Sequence, residues 1–403
     1  MASALDGIRI LDLTLWQQGP YASAMLADLG ADVIKVEAPD SPDPGRAFLF
    51  NRELGLSIYF HAHNRGKRSL AIDLKNPQGK ESFLRLVERS DVLLNNLRVG
   101  ALKRLGLGYG AVRAVNPRII YVHACAWGSQ GPDAALGSLD MLAQARGGLI
   151  SINGEPDGPP LPVPVAIADQ VGAMLTAYGI MTALFHRERT GEGQEVEVSL
   201  LAGQLALQCF NISSYLLYRR LPRRRPRGRF TPLWNTYCGS DGKYLALAMV
   251  EERWWPGTCR ALGEPELEHD PRFDPAINRY RNSQQLVDHM DAIFAQRPAP
   301  EWVERFRAEG LMAGLVQDYE DLVCDPQVGA NAYVQDVDWP GHDPLRIPGS
   351  GVRFSRTPAR IRGMAPALGA HTRAVLLENG FSPAEIDRLE AEGVVHQADG
   401  GAK

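Results

Sequence analysis

Residues 7–37, GIRILDLTLWQQGPYASAMLADLGADVIKVE, constrain the fold more than any other stretch of the chain. Ile8, Ile10, Leu11 and Leu13 supply the apolar run of a buried strand, and Gly19-Pro20 breaks it. From Tyr21 to Leu29 the apolar residues Met25, Leu26 and Leu29 recur at helical spacing. Gly30 stops the helix, and residues 31–36 form a second buried strand. Two parallel strands joined by a helix make one crossover unit, whose ligands gather just beyond the carboxyl ends of the strands. That place holds Trp16-Gln17-Gln18, an amphipathic, amide-rich turn. It contains no GxGxxG, so the dinucleotide fingerprint is absent.

The alternation continues. Residues 69–74 read as a strand, 78–89 as an amphipathic helix, 91–94 as a strand and 95–100 as a turn. A strand over 118–124, a long helix rich in small residues over 169–187 and a strand over 194–200 follow. Such a pattern predicts an α/β fold, a mainly parallel sheet with helices on both faces. At Arg219 the composition changes: RRLPRRRPRGR is proline-broken, unfit for a core, and reads as a solvated linker. Beyond it, residues 236–249 read as a hairpin turned at Asp241-Gly242, followed by helical segments carrying Trp254, Trp255 and Trp302. The expected organisation is a large domain from residues 1–200, a linker over 201–230, a smaller α+β domain over 231–315, and a return to the large domain over 316–403. The tail (a strand near 352–354, helices over 371–378 and 383–392) carries an apolar face without enough mass to fold alone.

Bulk properties exclude several classes. The chain has 403 residues, and a net charge of -4 gives no reason to expect nucleic acid or an anionic membrane as partner. Five cysteines without paired spacing suit neither a disulfide framework nor a zinc site, and point to a reducing, cytoplasmic location. The start MASALDG lacks a basic region followed by an apolar stretch, and no apolar run approaches the roughly 20 residues of a spanning helix.

No GxSxG, HExxH or GxxxxGK[ST] occurs, so a catalytic centre must be assembled from dispersed residues. His61 and His63 form an HxH pair that no carboxylate or cysteine completes, and Cys125 at the end of an apolar strand reads as a core thiol. Asp140 follows the turn-prone segment 127–132 and opens an amphipathic run that ends at Gly147-Gly148. An aspartate there is commonly a helix cap. The same place also offers free N–H groups and a positive dipole end, suited to a carboxylate nucleophile and its oxyanion. Sequence pattern alone leaves both readings open.

Residues 7–37, NRGKRSLAIDL (64–74), NNLRVGALKRLGLGY (95–109), NPRIIYVHACAWGSQGP (116–132), RTGEGQEVEVSL (189–200), SRTP (355–358) and PALGAHTRAVLLENG (366–380) together resemble the class III coenzyme A transferases. That family includes formyl-CoA:oxalate and carnitine CoA-transferases and alpha-methylacyl-CoA racemase. The resemblance spans nearly the whole chain and implies a large Rossmann-like domain, a smaller one, and an open-ring subunit interlocked with a second copy in a homodimer. It implies Asp140 as the aspartate that attacks the acyl-CoA thioester, and Gln17 as the glutamine that hydrogen-bonds the aspartyl intermediate. Trp16 and Gln18 would lie against the pantetheine. Ile72, Lys75, Asn96, Leu97, Arg98, Ala101, Arg104 and Leu105 match positions that line the CoA site, Lys75 and Arg104 facing phosphates. Acyl-CoA and a carboxylic acid are then the substrates, with no tightly bound cofactor and no metal.

The racemase branch pairs a histidine with a second aspartate. Here Gly137-Ser138-Leu139-Asp140 has no histidine at the matching place, although Asp169 matches the aspartate. A lone carboxylate does not readily shuttle a proton across both faces of an enolate, so the transferase reading leads and Asp169 reads as a structural or capping residue. A non-catalytic subunit of a heteromeric transferase is the other alternative, opposed by the presence of Asp140 and Gln17. Residues 227–234 replace the glycine run of formyl-CoA transferases, and Phe230 and Trp234 there suggest an acceptor larger than oxalate.

Overall fold

The computed structural model describes residues 3–229, 231–339 and 342–398. Phe230 lies outside them. Two compact units are present: one comprises residues up to Ile150, Pro162–Arg220 and those from Ala330 onward, the other Ser151–Leu161 and Leu221–Gly329.

The larger unit is built on a seven-stranded sheet. Its strands are β1 (Arg9–Leu13), β2 (Asp32–Glu37), β3 (Arg68–Ile72), β4 (Val92–Asn95), β5 (Ile120–Cys125), β6 (Glu195–Ser199) and β7 (Val395–His396). They lie in the order β7-β3-β2-β1-β4-β5-β6, all parallel except β7, which runs antiparallel at the edge against β3. Successive side chains alternate between faces. Leu11, Leu13, Ile34, Leu70 and Leu93 therefore join Phe83, Leu86, Val375, Leu376 and Leu389 on one side. Ile10, Val33, Leu94, Ile120 and Val122 meet Leu26, Ile180 and Leu184 on the other. Burial on both faces is why these strands read as continuous apolar runs.

The chain winds outward from β1 in both directions, so the strand order reverses between β1 and β4, where parallel α/β sheets place their ligands. Helix α1 (Gln18–Asp28) begins earlier than its apolar spacing predicts, with Gly19 and Pro20 inside its first turn. Proline is tolerated there because its missing N–H would have no helical partner. Glycine is required by a close approach: a Cβ at position 19 would lie 2.3 Å from Thr14 Cγ2.

Helices α2 (Asp140–Arg146), α3 (Ile167–Thr190), α4 (Leu200–Leu207) and α5 (Cys209–Tyr218) complete the part of this unit that frames the site. Among the described residues no single helix is long and apolar enough to cross a membrane; α4 and α5 would pass by length and composition only as a pair bent by 72°. Residues 352–354, where a strand is expected, carry no regular secondary structure, and the strand pair in that part of the chain joins Val334–Val337 to Leu345–Pro348.

The smaller unit carries a three-stranded antiparallel sheet with Tyr244–Ala248 between Trp234–Cys238 and Ala313–Leu315. Its hairpin turns where the sequence predicts, with Gly242 at φ +76° and Asp241 accepting the Lys243 N–H. Trp255, Trp302, Phe294, Phe306 and Tyr237 form its core. Within the arginine-rich stretch, Arg224 donates to the carbonyls of Glu155 and Gly158, and Arg227 pairs with Asp291.

Candidate active site

The loop after β1 is held in an uncommon conformation. Trp16 sits at φ +65°, a left-handed geometry that costs a side-chain-bearing residue about 1–3 kcal/mol and persists only where neighbours impose it. Asn96, just past β4, brackets Leu15 by accepting its N–H at 2.8 Å and donating to its carbonyl at 2.7 Å. Gln17 caps α1 by position only, its amide making no capping hydrogen bond among the described residues. The Gln18 side chain is buried, packs against Gly172 of α3, and its Nε2 has no hydrogen-bond partner among the described residues.

These residues line a cavity of about 1100 Å³ at the carboxyl edge of the sheet, where the strand order reverses. Trp16, Gln17, Gln18, Asn96, Leu97, Arg98 and Asp140 all contribute to its wall. Arg98 also borders a second cavity of about 850 Å³ together with Ala101. Ile72, Lys75, Arg104 and Leu105 line neither. Ile72 ends β3 and is 1% exposed, its side chain packed in the hydrophobic core. Leu105 packs against the same core. Lys75 and Arg104 are exposed, Arg104 reaching over Gly100.

Asp140 lies in the first turn of the seven-residue α2 but does not cap it, the N-cap position being Leu139. Its carboxylate crosses instead to the start of α3. Oδ1 accepts the N–H groups of Ala168 at 2.6 Å and Asp169 at 3.1 Å, and Oδ2 accepts from Gln144 Nε2 at 2.6 Å. Both oxygens are therefore committed, at the positive end of a 24-residue helix.

Asp169, which reads from the sequence as a structural or capping residue, occupies that same helix end, where the N-cap is Ala166 with no side-chain capping hydrogen bond. No hydrogen bond to its carboxyl group is found among the described residues, and it lines the large cavity, as does Tyr59. Burial, and then the charge of Asp140, push its carboxyl group up to about 7. In the sequence Asp169 is marked only by its place. The available signal was a carboxylate in the first turn of the longest helix, directly after the proline-rich LPVPVA.

Other candidate groups are occupied elsewhere. His63 donates from Nδ1 to the Tyr59 carbonyl and His61 accepts the Ala365 N–H. Burial lowers both imidazoles to about 4, so they are neutral packing groups. His123, Cys125 and Glu197 bring ligand-type atoms within 4.8 Å of one another. Each is already engaged, with the Leu97 carbonyl, the Gly128 N–H and the Ser129 N–H respectively. Burial raises the Cys125 thiol to about 11, which keeps it protonated and a poor metal ligand.

Comparison with known proteins agrees over nearly the full length. The family model for CoA-transferase family III matches residues 5–372. A succinyl-CoA:glutarate CoA-transferase of Mus musculus is 33% identical over 400 residues, covering 98% of this chain and 90% of the relative. A succinyl-CoA:mesaconate CoA-transferase of Haloarcula hispanica is 34% identical over 96% of this chain and 99% of its own length. A formyl-CoA:oxalate CoA-transferase of Streptomyces coelicolor is 32% identical over 98% and 100%. Among solved structures, a CAIB/BAIF family protein from Brucella suis superposes with a TM-score of 0.83 at 30% identity, covering 94% of this chain and 100% of that one. Rv3272 from Mycobacterium tuberculosis gives 0.82 at 31%, covering 93% and 99%.

Proposed function

The chain belongs to CoA-transferase family III, and from that premise we propose that it transfers CoA between an acyl-CoA and a free carboxylic acid through a covalent aspartyl intermediate on Asp169. The observation that carries this reading is one carboxyl group in the cavity wall with no hydrogen-bond partner among the described residues, beside a second carboxylate whose oxygens are both taken. It supports Asp169 as the source of the attacking oxygen and Asp140, the residue that the resemblance implies, as its fixed neighbour.

The steps balance without a redox change. Asp169 attacks the thioester carbonyl, giving a mixed anhydride and expelling CoA thiolate. The thiolate adds to the aspartyl carbonyl of the anhydride, releasing the first acid and leaving an aspartyl-CoA thioester. An acceptor carboxylate attacks that thioester, regenerating thiolate and forming a new anhydride. Thiolate attack on the new acyl carbonyl gives the product acyl-CoA and restores Asp169. Both intermediates hydrolyse readily, so water must be kept out. The apolar wall of Leu136, Leu139, Leu142, Val163 and Val165 serves that end, while Gln17 supplies a donor for carbonyl oxygen. The CoA chain would run past Trp16, Asn96, Leu97 and Arg98, with Ala101, Lys75 and Arg104 towards its phosphate end. No histidine lines the cavity among the described residues, which leaves a racemase without its second acid.

Relatives named for succinyl-CoA with glutarate or mesaconate make succinyl-CoA the first donor to test, with dicarboxylic acids of four to six carbons as acceptors. The protein should be incubated with succinyl-CoA and the peptide spanning residues 162–187 examined by mass spectrometry. We expect a succinyl or CoA adduct on Asp169 that an acceptor acid discharges. Turnover with no adduct sinks the mechanism, and oxalate as the best acceptor sinks the substrate class.

We further propose the interlocked homodimer. Its support is a stripe on α3, where Met174, Tyr178, Met181 and Phe185 recur at helical spacing yet stay exposed, Tyr178 by 70% and Phe185 by 64%. Light scattering should give twice the 44.2 kDa chain mass. Tagged and untagged dimers, once mixed, should exchange subunits only after denaturation. A monomer, or ready exchange, would rule out the interlocked pair. Five free cysteines fit the cytoplasm as its location.

A further inference from the structure

Beneath the Gln17 loop lies a buried ionic cluster that the transfer chemistry does not consume. Lys35 on β2 and Asp43 form an ion pair at 2.9 Å, both side chains fully buried. Lys67 pairs with Asp12 of β1 at 2.8 Å, equally buried. Burying four charges is costly, and replacing such pairs with apolar groups is often neutral or stabilising. Their hydrogen bonds suggest another use.

Each anchor grips the backbone of the loop. Asp43 Oδ1 accepts the Trp16 N–H at 3.1 Å and the Gly45 N–H at 2.9 Å. Lys35 Nζ donates to the Thr14 carbonyl at 2.8 Å. Lys67 Nζ donates to the Pro20 carbonyl at 2.9 Å and to Asn64 Oδ1 at 2.7 Å. Asp12 Oδ1 accepts from the Thr14 N–H and hydroxyl, and its Oδ2 accepts from Ser23. With Asn96 on Leu15, the backbone is held at residues 14, 15, 16 and 20, on both sides of Gln17 and Gln18. The left-handed Trp16 lies at the centre of this grip.

We infer that Asp43, braced by Lys35, is a positioning residue that holds Trp16 in its left-handed conformation and thereby aims Gln17 at the reacting carbonyl. The inference rests on the proposed role of Gln17 towards the aspartyl intermediates. Asp43 touches no reacting atom; it acts through the Trp16 N–H. A misplaced Gln17 leaves the intermediates less well held and exposes them to water, so transfer falls while hydrolysis gains.

The test compares Asp43→Asn, Gln17→Ala and the double variant, each isolated as a folded protein of parental oligomeric state. Rates of transfer and of acyl-CoA hydrolysis are measured with succinyl-CoA and glutarate. Because the Asn amide nitrogen would face the Lys35 ammonium in place of Oδ2, the side chain must turn away from Trp16, and Asp43→Asn should lower kcat for transfer by about 10- to 100-fold, leave KM for the donor within about threefold, and raise the hydrolysis-to-transfer ratio. The double variant should be no slower than Gln17→Ala alone, because both remove the same contact. Multiplicative losses in the double variant, or parallel loss of transfer and hydrolysis in Asp43→Asn, would overturn the inference. Should Asp43→Asn not fold, Lys35→Gln carries the same comparison while keeping a donor for the Thr14 carbonyl. A parent enzyme that turns over without an aspartyl adduct would refute the reading of Gln17. An adduct in the parent with unchanged partitioning in Asp43→Asn refutes only the positioning role.

Discussion

Asp169→Ala is expected to lose transfer by at least about a thousandfold and to form no adduct, while remaining folded with unchanged oligomeric state. Removing a covalent nucleophile eliminates the pathway rather than slowing one step of it, and losses of about 10³–10⁶ are usual. The parent enzyme should show an acidic limb in kcat/KM near pH 7, falling about tenfold per unit below it, because only ionised Asp169 attacks. Stability should move the other way. An aspartate whose folded value is raised holds a proton that the unfolded chain has already released, so between about pH 4 and 7 its contribution falls as pH rises. Asp169→Ala should then gain on the order of 2 kcal/mol over the parent at pH 8 and nothing at pH 4. That is roughly half of what the full displacement would carry, since the side chain is only part-buried. Thermal unfolding at the two pH values reads this directly. An active Asp169→Ala variant would return the nucleophile to Asp140.

Asp140→Ala should be the next most damaging change, for a different reason. It strips the Ala168 and Asp169 N–H groups of their acceptor and removes the negative charge from the positive end of α3. Loss of such a cap costs about 0.5–2 kcal/mol, and the first turn that carries Asp169 loosens with it. We expect kcat to fall by about 10- to 100-fold, the adduct on Asp169 still to form, and the acidic limb to move to lower pH as the repelling charge disappears. Asp140→Asn keeps an acceptor for the two amides, so it should recover most of the stability and still move the limb. A limb that stays at pH 7 in both variants would mean that the two carboxyl groups are not electrostatically linked.

These expectations separate what a linear reading reaches from what it does not. The parallel sheet was legible because strands buried on both faces leave unbroken apolar runs, as in Ile10-Leu11 and Val92-Leu93-Leu94. The Asp241-Gly242 hairpin was legible because its turn chemistry is local. Helix α1 starts before its apolar spacing does because proline, a breaker inside a helix, is admitted in the first turn. The apolar stretch near Val352 was misread as a strand because it has no partner strand there, which composition does not record. The site was legible as a neighbourhood: Trp16, Gln17, Gln18, Asn96, Leu97, Arg98 and Asp140 converge on one cavity. The different hydrogen bonding of two aspartates was not. Asp140 caps a helix that starts 27 residues further on, and only the folded chain shows that its oxygens are spent while those of Asp169 are not.

The antiparallel strand β7 carries a consequence for biosynthesis. It shields the open flank of β3 by pairing Val395 with Ile72 and His396 with Ala71. During translation β3 leaves the ribosome about 300 residues before its cover does, which at roughly 5–20 residues per second leaves an adhesive backbone rim bare for about 15–60 seconds. A chain cut short before residue 395 would leave that stretch of the rim without its cover.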